Sequence, residues 1–330
     1  MLRLFIRKDD HLEIAACDLA SVPARPEGAV WYDLFNPTPE EDRFVEASLG
    51  IDIPTREEMK DIEPSARLYK EAGAEFMTMT AMANLDTDEP VKSPVTFVLR
   101  ENILVTVRYS DPKPFKLFPV RAAKPGGVLP FGGGEAVMLG LIDAFIDRLA
   151  QVLENASDEI DHISHEVFRS RSSSDKRTPQ DLQSMIERIG RKGELLTMAR
   201  ESLLSILRVT SYHQAGGDGK KAVAALKLET KTLQRDATAL ADHAAYLSNK
   251  VNFLLDATLG LINLEQNQII KIFTVASVAF LPPTLVASIY GMNFDVMPEL
   301  KWIFGYPLAI MIMVASAILP FAYFKRRGWL

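Results

Sequence analysis

The sequence predicts an α+β N-terminal domain followed by long α-helices and a two-helix membrane domain, and three features carry that expectation. Two uncharged apolar runs near the C-terminus, Phe273 to Tyr290 and Tyr306 to Phe324, are each long enough for a helix to cross about 30 Å of hydrocarbon. Upstream, Leu226, Leu233, Leu240, Leu247, Leu254 and Leu261 fall at every seventh position, a strict heptad stripe. The first part of the chain breaks instead into short apolar runs bounded by Pro, Gly, Asp or Asn, the pattern of strands.

The N-terminal α/β domain is expected over residues 1–125. Its strand candidates are Leu2 to Ile6, Ala29 to Leu34, Glu75 to Asn84, Pro94 to Arg100 and Ile103 to Arg108. Thr38-Pro39-Glu40-Glu41 is a capping box with Pro at the first helical position, so a helix starts there, and another is expected from Thr55. Gly126-Gly127 and Gly132-Gly133-Gly134 flank Pro130 without following a strand in the nucleotide-binding pattern, and read as a flexible linker.

A long cytoplasmic helical hairpin is expected over 126–218. Val137, Leu141, Phe145, Leu149, Val152 and Ile160 recur at helical spacing, giving one helix to about Phe168. A second runs from about Gln180 to Val209 after a polar break that Pro179 closes. After the turn at Gly216-Gly217-Asp218-Gly219 no Pro occurs until Pro282, so residues 219–290 read as one stalk helix continuing into the first span, on the order of 100 Å long. Its Leu stripe is expected to pack on the two preceding helices. Asp242, Asn249, Asp256 and Asn263, each two residues after a Leu, lie about 200° away on the opposite face.

Composition narrows the functional classes. Hydrophobic residues make up 48% of the 330, enough for a core plus a small membrane part, while 24% charged residues exclude a chain that is mostly bilayer. A formal net charge of -6 argues against general nucleic-acid affinity. Cys17 is the sole cysteine, which excludes an internal disulfide and a cysteine metal centre. The apolar run after Met1 is too short for a signal peptide, so the soluble part is expected in the cytoplasm. The second span, 306–324, ends in the basic tail 325–330 with Lys325-Arg326-Arg327, which marks the cytoplasmic side. The loop 291–305 is then external, with Trp302, Tyr290 and Tyr306 at the outer interface and Trp329 at the inner one.

Tyr290-Gly291-Met292-Asn293-Phe294, Met297-Pro298-Glu299-Leu300-Lys301-Trp302, Gly305-Tyr306-Pro307, Leu281-Pro282-Pro283-Thr284, Ile269-Ile270-Lys271-Ile272-Phe273 and Asp61-Ile62-Glu63-Pro64-Ser65-Ala66-Arg67 together resemble the CorA magnesium channel family. The resemblance covers nearly the whole chain. It implies a funnel-shaped homopentamer in a prokaryotic inner membrane, conducting Mg2+ and also Co2+ or Ni2+ under the membrane potential, with lipid as its other partner.

Two helices per subunit cannot enclose a pore, so a ring of copies is the natural way for a polar helix face to meet water. Steps of three or four along the first span give Asn267, Ile270, Phe273, Ser277, Leu281, Thr284 and Ser288 as the pore wall, arriving at Gly291 and Asn293. Ile270, Phe273 and Leu281 would close it by dewetting. Gly291, Met292 and Asn293 form the expected selectivity filter. Mg2+ gives up water reluctantly, and a ring of neutral Asn293 amides would bind its hydration shell without stripping it. Gly291 would permit a sharp turn, and the Met292 thioether, a poor partner for a hard cation, would pack. Asp295 and Glu299 on the external loop would concentrate cations at the mouth.

The resemblance also implies a regulatory Mg2+ held by carboxylates between subunits, for which Asp86, Asp88, Glu89 and Glu229 are the candidates. The stalk position facing Asp86 reads as Thr232, a departure from the family pattern. Asp158, His162, His165 and Glu166 share a helix face but read as a solvated surface. Competing expectations are a zinc transporter of the same superfamily and a membrane-tethered coiled-coil scaffold. No nucleophile with a positioned base and no phosphate loop points to an enzyme.

Overall fold

The computed structural model describes residues 1–9, 11–15, 26–87, 89–126, 133–168, 179–213, 220–292 and 297–327. It divides into two compact units, Met1–Leu254 and Leu255–Leu330.

In the first unit, seven strands among the described residues form one sheet in the order β2-β1-β3-β7-β6-β5-β4. These are β1 Leu2–Lys8, β2 His11–Ala15, β3 Ala29–Phe35, β4 Leu68–Glu71, β5 Ala74–Ala83, β6 Val91–Arg100 and β7 Ile103–Arg108. All neighbours are antiparallel except β3 and β7, whose register sets Asp33 against Thr106 and Phe35 against Arg108. Strand side chains alternate between faces, so one face takes Leu2, Leu4, Tyr32, Leu34, Val105 and Val107. That face is covered by α1 (Pro39–Leu49) through Val45 and Leu49. Thr38 closes the expected capping box with Glu41, and Glu41 also binds the Met1 ammonium at 2.7 Å.

The other face presents Phe5 stacked on Trp31, with Phe115 and Phe118 of α3 (Pro114–Ala122) against the indole. Asp33 shares this face and is fully buried, so its charge needs partners. Arg108 supplies two bonds of 3.0 and 3.1 Å, Thr106 donates at 2.9 Å and Arg3 closes the set. Phe35 and Phe115 lie over the Arg108 guanidinium at 4.4 and 4.3 Å.

Helices α4 (Gly134–Phe168) and α5 (Pro179–Tyr212) follow, and α6 runs from Lys220 to Tyr290. Within the first unit the Leu stripe does pack inward. Leu226, Leu233, Leu247 and Leu254 are buried with Ala237, Ala244 and Val251, while Leu240 is half-buried. Phe253 stacks on Phe168 of α4, and Gln234 donates to the Thr210 carbonyl of α5. Asp242 and Asn249 are exposed.

Some expectations need correction. Gly133 and Gly134 are not slack linker but buried at a close approach, with the Gly134 amide bonded to the Asn102 carbonyl at 2.7 Å. A Cβ on Gly134 would stand 2.2 Å from the Leu104 amide nitrogen, so the start of α4 requires glycine to reach β7. The segment after Thr55 forms only a short 3-10 turn, Glu58–Lys60, followed by the one-turn α2, Pro64–Arg67. The sequence reading missed α3 and the edge strands β2 and β4.

Candidate ion pathway

The second unit holds the end of α6, a short 3-10 turn at Pro298–Lys301 and α7 (Gly305–Arg326). Both α6 and α7 contain stretches long and apolar enough to cross a membrane. α6 stays helical through Pro282-Pro283, although two missing amide donors leave the carbonyls of Val278 and Ala279 without their usual partners. Thr274 and Thr284 donate to the carbonyls of Ile270 and Phe280 at 2.8 and 2.7 Å, so these hydroxyl protons are satisfied inside the helix.

At 100° per residue, Asp256, Asn263, Asn267, Ile270, Phe273, Ser277, Leu281, Thr284 and Ser288 all fall within a sector of roughly 120° on α6. Ser277, Leu281, Thr284 and Ser288 share one shallow indentation of the surface, and Asn267 and Ile270 share another with Glu265 and Lys271. The apolar members of the stripe are open: Ile270, Phe273 and Leu281 are 60%, 69% and 66% exposed. An apolar surface this continuous needs lipid or other copies of the chain to cover it.

α6 ends at Tyr290, where the Gly291 amide bonds to the Ala287 carbonyl at 3.0 Å and the Met292 amide to Ile289 at 3.2 Å. Gly291 itself stays outside the left-handed region, and the described chain turns at Gly291 and bends at Met292. Met292 is exposed. Asn293 and Asp295 lie outside the described residues, as does Trp329; Glu299 lies in the Pro298–Lys301 turn.

The regulatory candidates are in the first unit. Asp86 is bound to Lys113 at 2.6 Å and to Arg148 of α4 at 2.8 Å, and the Lys113 hydrogen bond leads in holding its carboxyl below the usual range. Glu89 is exposed, and Asp88 lies outside the described residues. Glu229 of α6 is half-buried; burial pushes its carboxyl upward, and Asp143 and Asp236 add to this against Arg121. Among the described residues, no group of three or more His, Cys, Asp or Glu side chains could hold a metal ion. The Asp158, His162, His165 and Glu166 face is no exception, and Glu166 pairs with Arg188 of α5 at 2.8 Å. The cations around Asp86 were not foreseen, since Lys113 and Arg148 are distant in sequence and their partner is set by the fold.

The family model described as CorA-like Mg2+ transporter protein matches residues 26–326. The chain belongs to that family. It is 37% identical over 302 residues to the magnesium transport protein CorA of Salmonella typhimurium, covering 92% of each chain. The fold of this CorA-like chain is similar over its full length to the CorA magnesium transporter of Methanocaldococcus jannaschii, with a TM-score of 0.75 at 19% identity and 99% of that chain covered. The chain also resembles the ZntB cytoplasmic domain from Vibrio parahaemolyticus, with a TM-score of 0.55 at 8% identity over 79% of this chain and 97% of that one. The fold class expected from sequence, an α/β domain, long helices and two apolar C-terminal helices, is thus the fold of a CorA transporter. The architecture is shared with a ZntB domain, so identity of sequence rather than fold speaks to the ion.

Proposed function

We propose that this chain is one subunit of a homopentameric Mg2+ channel of the prokaryotic inner membrane, with both termini cytoplasmic. The observation that carries the reading is the α6 stripe, polar and apolar groups alternating along an exposed helix face, in a chain 37% identical to a magnesium transport protein. Five copies of that face enclose the pathway. Asp242, Asn249, Asp256 and Asn263 line the stalk side. Asn267, Ile270, Phe273, Ser277, Leu281, Thr284 and Ser288 form the wall through the membrane.

Thr284 donates its proton to its own helix, which leaves the hydroxyl oxygen to accept from the water shell of a passing ion. Gly291, Met292 and Asn293 make the outer filter, where Asn293 amide oxygens bind hydrated Mg2+ weakly enough for release. Asp295 and Glu299 draw cations to the entrance. An inside-negative potential contributes about 2.3 kcal/mol per charge per 100 mV, so influx requires no nucleotide.

Occupied Mg2+ sites between subunits close the pore, with Asp86, Asp88, Glu89 and Glu229 as the carboxylates. Mg2+ at Asp86 must compete with Lys113 and Arg148 of the same chain, which sets the inhibitory concentration higher than for a free carboxylate. Uptake of Mg2+, Co2+, Ni2+ and Zn2+ measured side by side in vesicles tests the reading. Potential-driven Mg2+ entry, with Co2+ and Ni2+ also carried, is the expected result. Zn2+ entry without Mg2+ would make it a zinc transporter, and no flux would leave a membrane-tethered scaffold.

A further inference from the structure

A cleft of about 480 Å³ opens on the first unit between the segment Met59–Arg67, the paired strands β5 and β6, and α5. Its charged lining is Lys60, Arg67, Lys92 and Arg208 against a single carboxylate, Glu201. That carboxylate is taken by Lys92 at 2.6 Å. Among the described residues, Lys60, Arg67 and Arg208 make no ion pair, in a chain whose net charge is -6.

Arg67 is held in place rather than free to swing. Its Nε donates to the Asp61 carbonyl at 2.6 Å and its Nη1 to the Thr80 hydroxyl at 3.0 Å. The Asp61-Ile62-Glu63-Pro64-Ser65-Ala66-Arg67 segment thus acts as a clamp that aims a guanidinium at the cleft. Burial, reinforced by the Arg208 charge and only partly opposed by Asp61, pushes the Arg67 pKa down. Two guanidiniums brought together without an intervening carboxylate cost energy that an anion between them would recover. Buried Ser93 and Ser205 hydroxyls complete the lining.

We propose that this cleft binds a small phosphate-bearing anion, with Arg67 and Arg208 as the principal donors and Lys60 as a third charge. Planar guanidiniums match phosphate oxygens in pairs, and two of them with a lysine suit a multivalent oxyanion better than a monovalent one. The bound anion would tie α5 to the sheet edge at Thr80, where Ser202 and Ser205 already bond to the Thr80 backbone. The site is independent of the ion pathway.

The test is calorimetric titration of inorganic pyrophosphate into the full-length protein in nanodiscs of uncharged phospholipid. Arg208→Gln is the informative variant, because Arg208 is exposed and makes no fold-supporting ion pair. Pyrophosphate is expected to bind the parent, and R208Q to weaken it about tenfold or more, the order lost with one charge-assisted contact. Lys124→Gln, an exposed lysine outside the cleft, should leave affinity unchanged. Repeating the titration in discs with anionic phospholipid separates the sources: undiminished affinity assigns a soluble anion, and competition assigns a lipid headgroup. No binding by the parent, or equal affinity for R208Q and the parent, would overturn the proposal.

Discussion

His213→Ala offers the sharpest test of how the first unit is held together. His213 follows the last turn of α5 and its side chain is 1% exposed, with Nδ1 at 2.8 Å from Glu75 of β5 and Nε2 at 3.0 Å from Glu135 in the first turn of α4. Both ring nitrogens face carboxylates, so the doubly protonated imidazolium satisfies both and fastens three elements at one point. Burial opposes that charge, but the bonds from Glu135 and Glu75 outweigh it and raise the His213 pKa. Alanine leaves the buried Glu135 and the half-buried Glu75 carboxylates facing a void. Removing one partner of a buried charge cluster costs about 3–5 kcal/mol, and the Lys70 contact that remains on Glu75 places the expected loss near the lower figure. For a unit of this size that is a fall of roughly 6–12 °C in apparent Tm.

The pH dependence has a definite sign. Because His213 is raised in the folded state, its contribution is complete below the unfolded value of about 6.5 and is lost as pH rises through the folded value. Glu75 is depressed, since bonds from Lys70 and His213 outweigh its burial, so its contribution holds above the unfolded carboxylate value and is lost as pH falls through the folded one. Thermal scans at a fixed rate, parent against His213→Ala, should show a gap that is wide at mildly acidic pH and narrows as pH rises. A His213→Ala protein melting within a degree or so of the parent across that range would refute the reasoning.

Three other outcomes follow from the same structure. Arg108→Met should cost about 3 kcal/mol in denaturant unfolding, because it removes two bonds from the fully buried Asp33 carboxylate and leaves it only Arg3 and Thr106. Leu247→Ala on α6 should lower stability by about 2–5 kcal/mol, whereas Asn249→Ala, on the exposed face of the same turn, should change subunit association rather than stability of the first unit. Lys113→Ala combined with Arg148→Ala releases Asp86, and patch recordings should then show closure at lower cytoplasmic Mg2+; an unchanged inhibitory concentration would remove Asp86 from the regulatory set.

Much of the architecture was legible because single residues carried it. The Leu heptads forecast which face of α6 is buried, Thr38 and Glu41 forecast a helix start, and the turn residues bracketed β3, β5 and β7, while β6 begins at Val91, ahead of the expected Pro94. What escaped notice was short or set by distant partners. α3 has Pro at its start and Pro119 inside, in a stretch that reads as loop. β2 and β4 are short edge strands, and the alternation in His11–Ala15 and Leu68–Glu71 is too brief to register. The role of Gly134 depends on Leu104 lying against it, and the His213 cluster joins positions on three elements. The Arg67 cleft draws on four separate segments, so only the folded chain brings its charges together. The α6 stripe was readable by counting, since 3.6 residues per turn fix which side chains share a face.

The central claim is that hydrated Mg2+ passes through a ring of these chains at Asn293. Uptake of Mg2+ into proteoliposomes under an imposed inside-negative potential, parent against Asn293→Ala, tests it most directly. Fast entry that scales with the potential, largely lost in the variant while the oligomer stays intact, is the predicted result. Equal uptake by both proteins, or none by the parent, would contradict it.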